Sequence, residues 1–337
     1  MNLTGHVPGK ARRGILMSAA TTTQFDTRPK VRKPRWNARQ RSDFRTIALF
    51  LAPAIIFYVF FLVLPILQAI YVSFFSWKGF GAPTDFVGWD NYARILRDKV
   101  FIQGVTNALM IVVLSIGVQL PLSLGLAIMV GRRLPGRAFF RVIFFLPYVL
   151  SEVMAAIIWL SMFNPDPTRG FLNGLLVAIS PGAQPISWLG DLNVVMISIF
   201  MALTWKFFGL HLLLFMAGLQ NIPREVEEAA AIDGASTWQS IRYVTVPMLG
   251  STIRLVIYLS VLGSLSQFAL VWVMTAGGPA HASEMLATYM YRSGFIKFQF
   301  GYGSAVAMLM FAMCLVFSVV YQRLIMRQDY EGTGGSA

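Results

Sequence analysis

The chain has 337 residues, of which 56% are hydrophobic and only 13% are charged, and its formal net charge is +13. A soluble globular protein would carry roughly twice that charged fraction, so the composition excludes an ordinary soluble domain. The basic excess lies in the N-terminal tail and in short loops between apolar runs, which argues against nucleic-acid binding.

The first 45 residues contain eleven Lys and Arg side chains and little periodicity, so they are predicted to form a disordered cytoplasmic tail. Such a tail either helps to set the membrane topology or contacts anionic lipid headgroups. We do not predict a cleaved secretory signal, because the basic residues are widely spread and the apolar run after them is too long.

Six apolar segments exceed the roughly 20 residues that cross a bilayer core as a helix. Four of them contain a long run with no charged residue, while the third holds Glu152 and the fourth holds Lys206. The predicted fold is therefore all-α and membrane-integral, with a short tail at 328–337. The six predicted spans are about 46–75, 104–130, 139–163, 193–219, 252–275 and 303–325.

The orientation follows from the distribution of Lys and Arg between the loops. With the N-terminus inside, the inner segments hold twenty of these residues and the outer loops hold seven. Both termini are therefore predicted to be cytoplasmic, together with the loop at 220–249.

That loop is predicted to be a helical hairpin. Pro223 suits a first helical turn, and the three alanines at 229–231 favour helix strongly. Gly234 can adopt a positive φ and end the first helix, and Ser236 or the following threonine can cap the second. From these residues alone, the hairpin is either a surface element without a partner or a rigid handle that another protein grips.

A longer pattern runs through the same loop. Residues 228–234 read E-A-A-x-x-x-G, and after nine more residues come Val244-x-Val246-Pro247. Pro247 is expected to break the chain before the fifth span. The pattern resembles the cytoplasmic coupling motif of binding-protein-dependent ABC importers, although that family more often has Ile and Leu where Val244 and Val246 stand.

The resemblance extends from about residue 51 to residue 327 and favours the maltose- and glycerol-phosphate-type permease subunits. The stretch FVGWDNY after the first span favours the type that pairs with a second, different permease. The similar segments, in chain order, are LAPAIIFYVFFLVLPILQAIYVSFFSW with FVGWDNYARIL, TWKFFGLHLLLFMAGLQNIP, VWVMTAGGPAHASEMLATYMYRSGF and FGYGSAVAMLMF.

The resemblance implies a set of partners. Two permease subunits, as a heterodimer, would form the pathway, two cytoplasmic ABC ATPases would drive it with ATP and Mg, and an external solute-binding protein would deliver the solute. It implies a location in the inner membrane of a bacterium or archaeon. It implies ATPase coupling through Glu228, Ala229, Ala230, Asp233, Gly234, Ala235 and Pro247, and a loop facing the binding protein at Gly277, Gly278 and Pro279.

The chain itself is not expected to be an enzyme or to bind a cofactor or metal. Its sequence has no G-x-x-x-x-G-K-[ST] phosphate loop and no HExxH motif, and its three histidines and one cysteine leave little for a metal site. ATP hydrolysis is therefore expected on another chain.

Polar residues at membrane depth are costly and usually face a cavity or a partner. The candidates for the substrate pathway are Gln119, Glu152, Lys206, Ser266 and Gln267. For Glu152 and Lys206, the alternative is a structural pair or side chains that snorkel to the membrane surface. In maltose-type permeases, the stretch that matches Ser266 and Gln267 carries polar sugar contacts.

These observations predict half of an alternating-access pathway for a sugar, oligosaccharide or related polyol. A self-sufficient secondary transporter or channel, with Glu152 as an ion or proton site, is the first alternative. An interaction scaffold without a transport role is the second.

Overall fold

The computed structural model describes residues 38–131 and 137–326. Within these ranges the chain is helical, and the only strand-like feature is an isolated bridge between Phe75 and Phe86. The helices are α1 Ala38–Tyr58, α2 Leu64–Val72, α3 Asp90–Arg97, α4 Lys99–Leu114, α5 Leu120–Gly131, α6 Arg137–Val149, α7 Glu152–Met162, α8 Phe171–Ile179, α9 Val195–Gln220, α10 Arg224–Ile232, α11 Thr237–Ser240, α12 Val246–Met248, α13 Gly250–Leu265, α14 Ala269–Thr275, α15 Leu286–Tyr291 and α16 Phe300–Tyr321. Short π-helical segments occupy Val59–Val63, Ser115–Gln119, Ile241–Thr245, Arg292–Ile296 and Gln322–Met326.

Two units divide the chain, Met1–Tyr58 and Val59–Ala337. Of the first unit the structure describes α1, which begins at Ala38, so helix starts before the predicted first span and inside the segment predicted to be a disordered tail. The rest of that tail and the predicted tail at 328–337 lie outside the described residues.

Four helical segments of the described chain are long and apolar enough to cross a membrane: Thr46–Val72, Lys99–Val130, Val195–Gln220 and Phe300–Met326. Two further helix pairs qualify if each bent pair is one span. The structure therefore has four candidate spans, or up to six, and the described residues fit an all-helical membrane fold.

The third predicted span is not one continuous helix. Helix α6 ends at Val149 and α7 begins at Glu152, and the two axes meet at 99°. Ser151 lies between them in an extended conformation and caps α7, since its hydroxyl accepts a hydrogen bond from the Met154 N–H at 3.2 Å. A serine followed by an acidic residue is a helix-start signal in the sequence, and it overrides the apolar run around it.

The fifth predicted span is also interrupted. Helix α13 ends at Leu265 and α14 starts at Ala269, with Ser266, Gln267 and Phe268 between them. A second bend, of 66°, separates the helical stretch Thr237–Met248 from α13. Pro247 lies in α12, two residues before this bend at Leu249, and the bend precedes the fifth predicted span.

Helix α9 is the centre of the second unit. Its 26 residues include Ile199, Leu212 and Phe215, none of which is more than 2% exposed. At Gly209 the backbones of α9 and α6 touch, because a Cβ there would lie 2.0 Å from the Phe144 carbonyl oxygen. Only glycine permits this approach, so α6 and α9 pack without an intervening side chain.

Candidate functional site

The loop after α9 folds as a helical hairpin, and the term "hairpin" below means α10 and α11, residues 224–240. Helix α10 ends at Ile232, and Gly234 takes a φ of +82°, as its sequence position predicts. Ser236 then caps α11: its hydroxyl accepts from the Gln239 N–H at 3.4 Å, and the Gln239 side chain accepts from the Ser236 N–H at 2.7 Å. Pro223 lies at the N-cap of α10, one position before the predicted first turn.

The hairpin and the segment after it, up to Pro247, present the predicted coupling residues at the surface. Glu228, Ala229, Asp233, Gly234 and Pro247 are exposed, and Ala230 and Ala235 are partly exposed. A hollow of about 320 Å³ lies beside the turn and is lined by Asp233, Gly234, Ala235, Gln239, Tyr243 and Val244.

Large apolar side chains are exposed on and just after the hairpin, one of them, Tyr243, lining the hollow, and sequence reasoning missed them. Ile232 is 86% exposed, Trp238 is 68% exposed and Tyr243 is 70% exposed. Exposed side chains of this size on one short segment are typical of a protein–protein contact. Their position in a polar loop between two apolar spans was the signal that could have identified them.

Lys206 is buried at the break between α6 and α7. Its ammonium group donates to the carbonyl oxygens of Pro147 at 3.1 Å and Tyr148 at 2.7 Å, and also to that of Leu150. These carbonyls are among those that the end of α6 leaves without a helical partner. The hydrogen bonds of Lys206 therefore run to the backbone of the break, so this lysine caps a broken helix, while Glu152 is near enough to interact with it electrostatically.

Glu152 and Gln267 meet across the two interrupted spans. Glu152 opens α7 and is half-buried, and its Oε2 atom accepts a hydrogen bond from Gln267 Nε2 at 3.1 Å. Gln267 lies in the break before α14 and is buried. The structure thus brings together Glu152, Gln267 and the Lys206-capped break, three of the five predicted pathway positions.

The other two predicted pathway residues lie apart from this contact. Ser266 is exposed, and its hydroxyl donates to the Leu262 carbonyl oxygen of its own helix at 2.8 Å. Gln119 is buried in the π-helical segment after α4, and its Nε2 atom has no hydrogen-bond partner among the described residues. Among the hydrogen bonds of the described residues, none joins the side chain of Ser266 or Gln119 to Glu152 or Gln267.

The segment between α14 and α15 encloses a buried carboxylate that sequence reasoning did not identify. Glu284 is fully buried, and its Oε2 atom lies 2.7 Å from His281 Nδ1 and 3.2 Å from an Arg292 guanidinium nitrogen. Its Oε1 atom accepts from the Thr288 hydroxyl at 2.8 Å. Gly277, of the predicted binding-protein-facing loop, packs against this carboxylate, where a Cβ would lie 2.7 Å from Oε2.

Helix α4 holds the same segment from the other side. Asn107 is buried and donates to the carbonyl oxygens of Ala282 at 2.9 Å and Glu284 at 2.8 Å. The predicted loop residues Gly278 and Pro279 are partly exposed on this fixed support. The segment is therefore a stiff loop, whose shape is set by buried polar contacts.

Asp98 and Tyr289 form a second polar contact near the same loop. The Tyr289 hydroxyl donates to Asp98 Oδ2 at 2.7 Å and lies 2.8 Å from the Tyr302 hydroxyl. Burial would raise the pKa of Asp98, but hydrogen bonds from Tyr289 and from the Val100 and Phe101 N–H groups outweigh it and lower that pKa. Burial, followed by the hydrogen bonds to Tyr302 and Asp98, raises the pKa of Tyr289.

The described residues hold no group of three or more His, Cys, Asp or Glu side chains that could bind a metal ion. Their polar groups at membrane depth are suited to passing hydrogen bonds to a polar solute, and the hairpin is suited to contact with another protein.

Comparison with known proteins places the chain in a family. Residues 119–329 match the family described as binding-protein-dependent transport system inner membrane component. A probable ABC transporter permease protein from Pyrococcus horikoshii is 35% identical over 283 residues, which cover 84% of this chain and 96% of that protein.

The diacetylchitobiose uptake system permease protein of Streptomyces coelicolor is 30% identical over 298 residues, covering 84% of this chain and 83% of that protein. A crystal structure of a bacterial alginate ABC transporter, in complex with a periplasmic protein bound to an alginate pentasaccharide, contains a chain with the same fold. The TM-score is 0.74 at 22% identity, with 86% of this chain and 96% of that chain covered. The matches across most of its length show that the chain belongs to the family of inner membrane components of binding-protein-dependent transport systems.

Proposed function

We propose that this chain is the permease subunit of an ATP-driven ABC importer for a carbohydrate, and that it performs no catalysis itself. It forms half of an alternating-access pathway, and a separate ATPase moves it through the hairpin. The observation that carries this proposal is the hairpin itself, with its small residues, the hollow beside its turn and the exposed side chains of Ile232, Trp238 and Tyr243.

The partners of this function are other chains. Two cytoplasmic ABC ATPases supply ATP and Mg chemistry, since this sequence has no phosphate loop. A second permease completes the pathway as a heterodimer, and an extracytoplasmic solute-binding protein delivers the solute to the loop at Gly277, Gly278 and Pro279. The family description and the alginate transporter structure, which includes a periplasmic protein, support the last partner.

The substrate class is a sugar, an oligosaccharide or a related polyol. A relative named for diacetylchitobiose uptake and a fold neighbour from an alginate transporter support this class. Glu152, Lys206 and Gln267 are the residues that we place along the pathway, with Glu152 and Gln267 offering a carboxylate and an amide to sugar hydroxyls. Burial of their polar atoms makes each lost hydrogen bond costly, which favours a hydroxyl-rich solute.

The membrane arrangement is six spans in the inner membrane of a bacterium or archaeon, with both termini in the cytoplasm. In this arrangement the bent pair Phe139–Val149 and Glu152–Met162 counts as one span. Of the other bent pair, α13 (Gly250–Leu265) belongs to the span, and Thr237–Met248 belongs to the cytoplasmic loop. Twenty inner Lys and Arg residues against seven outer ones support the orientation, which places the hairpin on the ATPase side.

Reconstitution tests the proposal. The chain is placed in proteoliposomes alone, and then with a second permease, an ATPase and a binding protein. We expect solute uptake only with the complete set and only with ATP. Uptake by the single chain, driven by an ion gradient, would contradict the proposal and support a secondary transporter that uses Glu152.

A further inference from the structure

A continuous row of aromatic side chains runs away from the Glu152–Gln267 pair. It starts at Phe268, beside Gln267, and successive ring centroids lie 4.8 to 5.9 Å apart. The row comes from four separate segments of the chain. Its members, in spatial order, are Phe268, Trp272, Tyr291, Phe295, Phe300 and Trp77, and the term "aromatic row" below means these six residues.

The aromatic row is accessible along its whole length. Phe295 is 52% exposed, and the other five are partly exposed. A second aromatic group, in which Trp159 contacts Phe163 at 4.9 Å, is core, because these two side chains are 6% and 2% exposed. The aromatic row is therefore partly open along its length, with neighbouring ring planes at 19° to 71° to each other, whereas the second group fills the interior.

Polar groups lie at both ends of the aromatic row. At the inner end are the Gln267 amide and the Glu152 carboxylate, 3.1 Å apart. At the outer end Trp77 lines a cavity of about 110 Å³ together with Ser76, Lys78, Asn91, Arg94, Gln299 and Tyr302. Hydrogen-bonding groups at both ends suit a ligand that carries hydroxyls as well as apolar faces.

The positions of the rings are fixed by their neighbours. The Arg292 guanidinium lies 5.8 Å from the centre of the Trp272 ring and is itself paired with the buried Glu284. The Phe300 ring lies against Gly79, where a Cβ would come within 2.4 Å of it. The aromatic row is thus a preformed surface whose rings are held before any ligand arrives.

Sugar rings suit such a surface. One face of a pyranose is largely C–H and stacks on an aromatic face, while the hydroxyls around its edge need hydrogen-bond partners. A single sugar would use only one or two of the six aromatic rings. A linear oligosaccharide would use many of them at once, because the spacing of the rings is comparable with the length of a sugar unit.

We propose that the aromatic row is a track that holds the sugar rings of a linear oligosaccharide between the outer cavity and Gln267. This proposal rests on the proposed function. The track makes the chain a subunit for oligosaccharides rather than for single sugars or small polyols. Each stacked ring contributes to holding the solute, so removal of one aromatic face affects long solutes more than short ones.

Uptake as a function of solute length tests the track. The complete importer in proteoliposomes is given oligomers of glucose, N-acetylglucosamine and mannuronate, from disaccharide to pentasaccharide. In Phe295→Leu and Tyr291→Leu, we expect the ratio of pentasaccharide to disaccharide uptake to fall about three- to tenfold below the wild-type ratio. Phe295→Tyr keeps the aromatic face and is expected to keep the wild-type ratio.

Phe80→Leu is the matched control. Phe80 is 79% exposed and stacks with Phe298 at 6.5 Å, outside the aromatic row. The ratio of pentasaccharide to disaccharide uptake in Phe80→Leu should equal the wild-type ratio. An unchanged ratio in both track variants, or an equal loss of short and long solutes, would overturn the track while leaving the importer function intact. A wild-type complex that imports none of these oligomers with ATP would overturn the proposed substrate class, and the track with it.

Discussion

The hairpin and the break between α6 and α7 are held in shape by different kinds of contact. In the hairpin, the turn and the cap are formed by residues within a few positions of each other, and Gly234 and Ser236 supply them. At the break, the key donor is Lys206, which lies 56 to 59 residues away from the carbonyl groups it binds. The hairpin is therefore expected to keep its shape when its surroundings change. The break between α6 and α7 is expected to change whenever α9, which carries Lys206, shifts.

Removal of the distant donor is expected to have the largest effect. Lys206→Met leaves the carbonyls of Pro147, Tyr148 and Leu150 without this partner at membrane depth. We expect a loss of about 2–4 kcal/mol in the free energy of unfolding and loss of uptake. Thermal unfolding of the purified chain in detergent measures the first effect, and Lys297→Met, at an exposed lysine, is the control. Wild-type unfolding and uptake in Lys206→Met would show that the break does not depend on this contact.

The turn of the hairpin is expected to be the next most sensitive position. Gly234 has a φ of +82°, and no atom lies within 4 Å of a Cβ placed there, so a substitution is strained by its backbone alone. Gly234→Val should cost about 1–3 kcal/mol locally, leave the spans inserted and weaken ATPase attachment or uncouple hydrolysis from uptake. Co-purification of the ATPase and solute-stimulated hydrolysis are the measurements.

The control for this change is Gly125→Val. Gly125 is exposed in α5, and a Cβ placed on it also has no atom within 4 Å, but its φ is not positive. If Gly234→Val couples normally while its turn is altered, the hairpin is not the coupling element.

The contact between the two broken spans is expected to tune solute binding. Gln267→Leu removes the donor to Glu152 Oε2 and should cost about 1–3 kcal/mol of solute binding in the pathway. Uptake should fall while the ATPase still assembles. Ser266→Ala is the matched control, because the Ser266 hydroxyl already bonds to its own helix at Leu262. Equal uptake kinetics in Gln267→Leu and the wild type would remove Gln267 from the pathway.

The smallest expected effect concerns pH. The pKa of folded Asp98 lies below its usual value of about 3.9, so its contribution to stability is present above that pH and is lost as the pH falls through the lower, folded pKa. Tyr289→Phe removes one hydrogen bond to Asp98 and should reduce this acid-dependent loss. Unfolding temperatures measured from neutral to acidic pH test it, and identical pH profiles for variant and wild type would contradict it.

Sequence alone predicted the parts of the molecule that depend on local chemistry. The long apolar spans, the helix before Gly234 and the cap at Ser236 all follow from composition and from residue types at fixed spacing. The polar candidates Glu152, Lys206 and Gln267 were identified by their cost in a membrane, and the structure brings them to neighbouring positions.

The interruptions within the third and fifth spans were not predicted, because a continuous apolar run shows no change in its sequence pattern where a helix ends inside it. The Ser151 cap of α7 is visible in the sequence as a helix-start signal. Whether a helix ends before it, however, depends on Lys206 donating to the carbonyl groups that precede Ser151. The buried Glu284 was likewise missed. Its partners His281 and Arg292 are only three and eight residues away, but their contact depends on how the loop between α14 and α15 folds. Contacts that form only in the folded chain therefore account for most of what the sequence did not predict.

The direct contact between Gly209 and the Phe144 carbonyl has a mechanical consequence. Helix α9 ends at Gln220, just before the hairpin begins, and Lys206 lies about 21 Å farther along its axis. Because no side chain separates the two backbones at this point, we expect α6 and α9 to move together as one rigid pair. If the hairpin is the coupling element proposed above, the closely packed α6–α9 pair would carry a movement of the hairpin to the carbonyl groups that Lys206 binds.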